Sequence, residues 1–218
     1  MLSPALQSLL IEALGQTAAM VGIAALVAVL LGLPLALLLL VTGAGHIAAS
    51  PWINRPLSLL INAVRSVPFI ILMVAIVPFT RLVAGTSIGT AAAAVPLSIA
   101  ATAFIARLFE TALREVDRGL IEAAQAIGAT RMQIVAKVLV PEAAPGLVAA
   151  VTVTLVSLVG FSAMAGAVGG GGLGDLGIRF GYQRFMPEVM LAVVVLLILV
   201  VQALQSLGDL IVRRVSHR

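Results

Sequence analysis

Between Glu12 and Arg55 the chain carries no Asp, Glu, Lys or Arg. About 20 consecutive apolar residues suffice to cross the hydrocarbon core of a bilayer. Only helices and closed barrels satisfy their own backbone polar groups there. The part read as helix runs over about 17–41 and is ended by Gly43 and Gly45. Composition extends the same argument to the whole chain. Hydrophobic residues make up 61% of the 218 and charged residues 10%, against about 25% charged in soluble domains. Mean hydropathy is +1.20. A soluble domain of this size could not bury so much apolar surface, so lipid must cover it. The fold class is all-α and integral to a membrane, with residues 1–218 forming one transmembrane domain.

Further apolar segments lie at about 57–80, 88–106, 147–168 and 187–208, which makes about five spans. The second is the weakest, because it contains Arg65, Pro68 and Pro78. Charge counting supports it. With five spans and the C-terminus inside, Arg55, Arg65, Arg107, Arg114, Arg118, Arg131, Lys137, Arg213, Arg214 and Arg218 are cytoplasmic. Only Arg81, Arg179 and Arg184 of the 13 basic residues are then outside. Omitting the second span would move Arg55 and Arg65 outside and weaken the basic bias that sets orientation. The N-terminus is therefore expected outside. Met1 to Gln16 has no basic residue, unlike a secretory signal, so the first segment is expected to remain as a span. The net charge of +4 is assigned to cytoplasmic loops rather than to nucleic acid binding. With no cysteine, disulfides and thiolate chemistry are excluded.

The longest polar stretch is the expected cytoplasmic loop, about 108–145. Asp117 suits an N-cap, and Arg118 and Glu122 are spaced to pair on a helix face. Gly128 suits a left-handed stop, and Thr130 to Gln133 fits a capping box. Pro141 is expected to end the second short helix. Leu120, Ile121, Ala124 and Ile127, then Met132, Ile134, Val135, Val138 and Leu139, give too much apolar surface for a solvated loop. The loop either packs on its own spans or offers a knob to a partner, and spacing alone leaves both open.

Glu122-Ala123-Ala124, then Gly128, then Val138-Leu139-Val140-Pro141 resembles the EAA motif of ABC-importer permeases, with Val138 and Val140 as mild departures. Arg65-Ser66-Val67-Pro68-Phe69, Val77-Pro78-Phe79-Thr80-Arg81, Gly85-Thr86-Ser87-Ile88-Gly89 and Phe161-Ser162-Ala163-Met164 resemble the methionine-uptake type. Permeases for other amino acids and osmoprotectants share much of this layout. The resemblance implies a bacterial inner-membrane permease with a type I importer fold, moving methionine inward by alternating access. It also implies a second copy of the chain, two cytosolic ABC ATPase subunits and an extracytoplasmic substrate-binding lipoprotein. The sequence has no G-x-x-x-x-G-K-[ST] phosphate loop. ATP and Mg are therefore assigned to the ATPase, and this chain is expected to need no cofactor and to be no enzyme.

The resemblance places Arg118, Leu120, Ile121, Glu122, Ala123, Ala124, Gln125, Ile127, Gly128 and Ala129 in a coupling helix against the ATPase. It moves the fourth span toward the translocation path, with Thr154, Ser157, Phe161, Ser162 and Met164 as candidates. Helix packing is the plainer role for Phe161 and Met164. Other signals are set aside. Gly172-Leu173-Gly174-Asp175-Leu176-Gly177 matches a dinucleotide pattern without the required βαβ context, and a flexible outer lip is expected there. Ser162 as a hydrolase nucleophile would need a base, and the histidines are only His46 and His217. No cluster suits a metal. A passive channel or scaffold is a further alternative. Arg65 and Arg107 are expected to snorkel, with Arg107–Glu110 pairing as the other reading.

Overall fold

A computed structural model describes residues 4–216; Arg218 and His217 lie outside the described residues. The described chain is helical, with helices α1 (Pro4–Thr42), α2 (Pro51–Ser66), α3 (Phe69–Ala75), α4 (Val77–Ala84), α5 (Thr90–Arg114) and α6 (Arg118–Ala126). They are followed by α7 (Arg131–Ile134), a π-helical turn Val135–Leu139, α8 (Val140–Glu142), α9 (Ala144–Gly166), α10 (Gly172–Leu176), a second π-helical turn Gly177–Tyr182, and α11 (Pro187–Val215).

Four helices, α1, α5, α9 and α11, are long and apolar enough to cross a membrane. The second expected span is not straight. α2 and α3 meet at 106° across Val67 and Pro68, and only the bent pair together would make a fifth. Proline disfavours helical backbone in the residue before it, and Val67 is extended (φ −85°, ψ 127°).

α1 is much longer than the 17–41 read from hydropathy. Its 39 residues extend about 58 Å at 1.5 Å per residue, well beyond a core of ~30 Å. The extra turns are used: Leu10 and Ala13 pack with Leu173, Leu176, Val189 and Val193. The central core runs along α1, α5 and α9 through Met20, Ala24, Ala28, Leu97, Ala101, Ile105 and Leu158. Alanine and glycine on facing sides permit close helix approach. A Cβ on Gly32 would collide with Ile105, and one on Gly208 with Thr152.

Two helix boundaries differ from expectation. α5 continues through the start of the expected loop as far as Arg114. Pro141 does not stop its helix: it sits at the start of α8, directly after the π-helical turn. There its missing N–H and fixed φ are tolerated.

Candidate functional site

The segment Asp117–Glu142 is built by local caps. The Asp117 carboxylate accepts from the Gly119 N–H at 2.6 Å and opens α6. At the other end Gly128 adopts φ +80°. Its N–H donates to the Gln125 carbonyl (2.9 Å), and the Ala129 N–H donates to the Ala124 carbonyl (3.0 Å). This is the paired 5→2 and 6→1 closure that stops a helix on a left-handed glycine. Two residues later a capping box opens α7. The Gln133 N–H donates to Thr130 Oγ1 (3.3 Å) and the Thr130 N–H to Gln133 Oε1 (2.8 Å). Fixed caps on both sides of Gly128 hold the angle between the two helices.

The loop's apolar surface divides between packing on the spans and exposure. Ala124, Ile134 and Leu139 are buried in the central core, and Ile121, Ala129, Val135 and Val138 pack against it. Leu120, Glu122, Ala123, Gln125 and Gly128 stay exposed. Ile127 is 86% exposed and Met132 74%. One face of α6 thus anchors to the bundle while the other stands free. The expected Arg118–Glu122 pair does not form. Among the described residues the ion pairs are Arg107–Glu110, Arg114–Glu110 and Arg179–Asp175.

The cluster behind α6 was only half foreseen. Glu110 is 5% exposed and accepts from Arg107 at 2.6 Å and from Arg114 at 2.7 Å. Arg107 also donates to the Ser58 hydroxyl and carbonyl. Pairing, not snorkelling, is therefore its arrangement, and it ties α2 to α5. His46, in the turn between α1 and α2, has its pKa lowered, first by burial and then by the Arg114 and Arg118 charges. A cleft of about 590 Å³ opens beside α6, lined by Glu115, Asp117, Leu120, Pro141, Glu142 and others.

The candidate path residues of α9 divide between two faces. Thr154 and Ser162 are buried, and their hydroxyls donate to the carbonyls of Ala150 and Val159, both at 2.8 Å. Phe161 stacks on Phe69, ring centroids 5.0 Å apart. Ser157, donating to the Val153 carbonyl, shares the opposite face with exposed Val153, Gly160 and Met164. Backbone-bonded hydroxyls are how polar side chains are satisfied inside a spanning helix.

The glycine-rich turn after α9 is no flexible lip. Leu173 and Leu176 are buried. The Gly172 N–H donates to Gln16 Oε1 (2.7 Å) and the Leu173 N–H to Thr17 Oγ1 (2.9 Å). A Cβ on Gly166 would collide with the Gly174–Asp175 backbone. The glycines thus allow helices to touch, and α1 caps α10. Sequence reasoning missed Gln16, Thr17, Ser58 and Phe69, whose partners are remote in sequence. Only Phe69, directly after Pro68, stood in a quoted stretch.

Comparison with known proteins agrees with this architecture. Residues 40–217 match the family model "Binding-protein-dependent transport system inner membrane component". The chain is 54% identical over 210 residues to the probable D-methionine transport system permease protein MetI of Vibrio cholerae, covering 96% of this chain and 93% of that one. It is 52% identical over 158 residues to the D-methionine permease MetI of Escherichia coli K12, covering 72% and 73%. Its fold superposes on a chain of the inward-facing MetNI methionine ABC transporter with TM-score 0.97 and 50% identity, covering 99% and 100%. An amino acid ABC transporter solved with histidines shares the fold at TM-score 0.78 and 21% identity. The chain belongs to the family of inner-membrane components of binding-protein-dependent transport systems.

Proposed function

We propose that this chain is the transmembrane permease subunit of an ATP-driven importer that carries methionine into the cytoplasm. Two copies form the pathway, and two cytosolic ABC ATPase subunits bind ATP and Mg and hydrolyse ATP. An extracytoplasmic binding lipoprotein delivers the substrate. Residues 1–218 act as one permease domain, with the N-terminus outside and the C-terminus inside, as the distribution of basic residues favours. The observation that carries the reading is the free face of α6. Arg118, Leu120, Glu122, Ala123, Gln125, Ile127 and Gly128 are exposed, while Ile121, Ala124 and Ala129 pack toward the core. Rigid caps hold this knob at both ends.

In this mechanism the knob enters a groove on the ATPase, where Ala123 lets the partner backbone come close and Glu122 offers a charge-assisted contact. ATP-driven closure of the ATPases pulls on α6, and its buried face passes the displacement to α5 and α9 as a rigid-body change between two access states. The Ser157–Met164 face of α9 borders the path, with Thr154, Phe161 and Ser162 supporting it from behind. The high identity to proteins named as methionine permeases favours methionine over other amino acids or osmoprotectants.

The test is ATP-driven methionine uptake by the reconstituted complex. Glu122→Lys is expected to abolish uptake and weaken ATPase co-purification while the chain stays inserted in the membrane. Normal uptake with Glu122→Lys would refute the docking role. Uptake of another amino acid in place of methionine would refute the substrate.

A further inference from the structure

α2 shows three faces. Leu57, Ile61 and Val64 pack against Leu39, Ala103 and Ala106. Trp52, Ile53, Leu59 and Leu60 form an exposed apolar face suited to lipid. Between them runs an edge of Arg55, Ser58, Asn62, Arg65 and Ser66, at spacings of three, four, three and one, which keep them on one side of a helix. All but the half-buried Ser58 are exposed.

The depth of this edge is fixed by its contacts. Ser58 is bonded to Arg107 beside the Glu110 cluster. Phe69, just past the break, stacks on Phe161 near the opposite end of α9. Arg65 and the break at Val67–Pro68 therefore lie between the two ends of the bundle. Arg65 is seven residues beyond Ser58, or about 10 Å along the axis. No hydrogen bond or ion pair among the described residues engages the Arg65 side chain. The Ser66 hydroxyl bonds only the Asn62 carbonyl of its own helix.

Two physical rules converge here. Non-helical backbone at membrane depth is tolerated where it is buried in protein or borders a water-filled cavity, and Val67 and Pro68 are exposed. An arginine inside the membrane, likewise, faces water or a partner charge rather than acyl chains. We infer that the polar edge of α2, ending at the Val67–Pro68 break, lines a water-filled vestibule in which the Arg65 guanidinium receives the carboxylate of the transported amino acid. The identity of that cargo rests on the proposed function; the wetness of the edge does not. A planar fork of donors suits a carboxylate, and water around it keeps the contact weak enough for release.

The chain has no cysteine of its own, so single cysteines report their surroundings directly. In the complete nucleotide-free complex in membranes, Asn62→Cys, Arg65→Cys and Ser66→Cys are expected to react with a membrane-impermeant charged methanethiosulfonate. Leu59→Cys and Leu60→Cys should stay unmodified over the same interval. Equal reactivity of both sets, or none in the first, overturns the vestibule. In uptake assays Arg65→Gln should raise KM for methionine about tenfold, the size of one hydrogen bond to a charged group, and Arg65→Lys, which keeps the charge without the fork, should restore it only in part. An unchanged KM in Arg65→Gln overturns the carboxylate contact. A wild-type complex that moves no methionine defeats the proposed function instead, and the labelling pattern still decides whether the edge is wet.

Discussion

The segments Asp117–Glu142 and Pro51–Ala84 both break the run of straight spans, yet different forces shape them. The first is fixed by neighbours in sequence: Asp117 to Gly119, Ala129 to Ala124, Thr130 to Gln133. The second is fixed from a distance, by Arg107 on Ser58 and by Phe161 on Phe69. A locally capped element keeps its shape while it moves as a body, which suits a part that transmits force. An element held only by remote contacts has a shape that depends on the state of the bundle around it. The difference predicts that distant substitutions disturb the second segment most and that cap substitutions disturb the first only modestly.

The largest effect is expected for Glu110→Ala. It leaves the Arg107 guanidinium in a largely buried site without its counter-charge, and Arg107 is the polar tie between α2 and α5, beside the packing of Leu57, Ile61 and Val64. Breaking a buried pair by removing one partner costs about 3 kcal/mol or more. The thermal midpoint of the purified complex in detergent should drop by several degrees, and Glu110→Gln, which keeps an acceptor oxygen for only one of the two arginines, should drop less. An unchanged midpoint would mean that the remote anchor of α2 lies elsewhere.

Phe69→Ala comes next. It removes a buried ring and its stack on Phe161. A soluble core would lose about 3–5 kcal/mol, but helices in lipid lack the hydrophobic drive for association, so about 2 kcal/mol is expected here. Amide exchange near Val67 should become faster while the α6 loop stays as protected as before. Faster exchange in both places would erase the distinction between the segments.

Within the loop, Gly128 separates conformation from packing. No atom would crowd a Cβ there, but φ is +80°. Gly128→Val should therefore cost about 1–2 kcal/mol through left-handed backbone strain alone, and Gly128→Asn should cost much less. Uptake should follow the same order. Thr130→Ala, which removes one half of the capping box, should cost about 1 kcal/mol, read as faster amide exchange in α7 with α6 unaffected.

The same division explains what the sequence disclosed. Asp117, Gly128 and Thr130–Gln133 were legible because each signal and its partner lie within five residues. The four straight spans were legible because hydropathy depends on composition and length. Hydropathy has no direction, so it could not reveal that α2 and α3 meet at 106°. Arg107 and Glu110 have the spacing of a helical pair, but exposed arginines with that spacing also snorkel; Ser58, 49 positions earlier, completes the arrangement. Arg118 and Glu122 had equally good spacing and remain apart, because an exposed pair gains little from closing. Pro141 misled because a π-helical turn immediately before it lets the chain continue into α8. The glycines after α9 read as slack in sequence because the side chains that cap α10, Gln16 and Thr17, lie over 150 residues earlier.

The smallest effect sharpens the comparison at the point where the two segments meet. His46 precedes α2 and faces Arg114 and Arg118, so its charge bears on both. Its folded pKa lies below the usual 6.5, chiefly through burial, with the two guanidiniums adding to the shift and Glu110 opposing it. The unfolded chain therefore binds the proton more readily than the folded one. Stability from neutral His46 is complete above about pH 6.5 and declines as pH falls through the folded value. Protonation would also place a third cation beside Arg114 and Arg118 at the root of α6. The complex should lose a little stability between neutral and mildly acidic pH, and His46→Gln should remove that component of the slope without changing the neutral-pH midpoint. A slope that survives His46→Gln would show that His46 is not its source. The junction between the locally built and remotely held segments would then be insensitive to this proton.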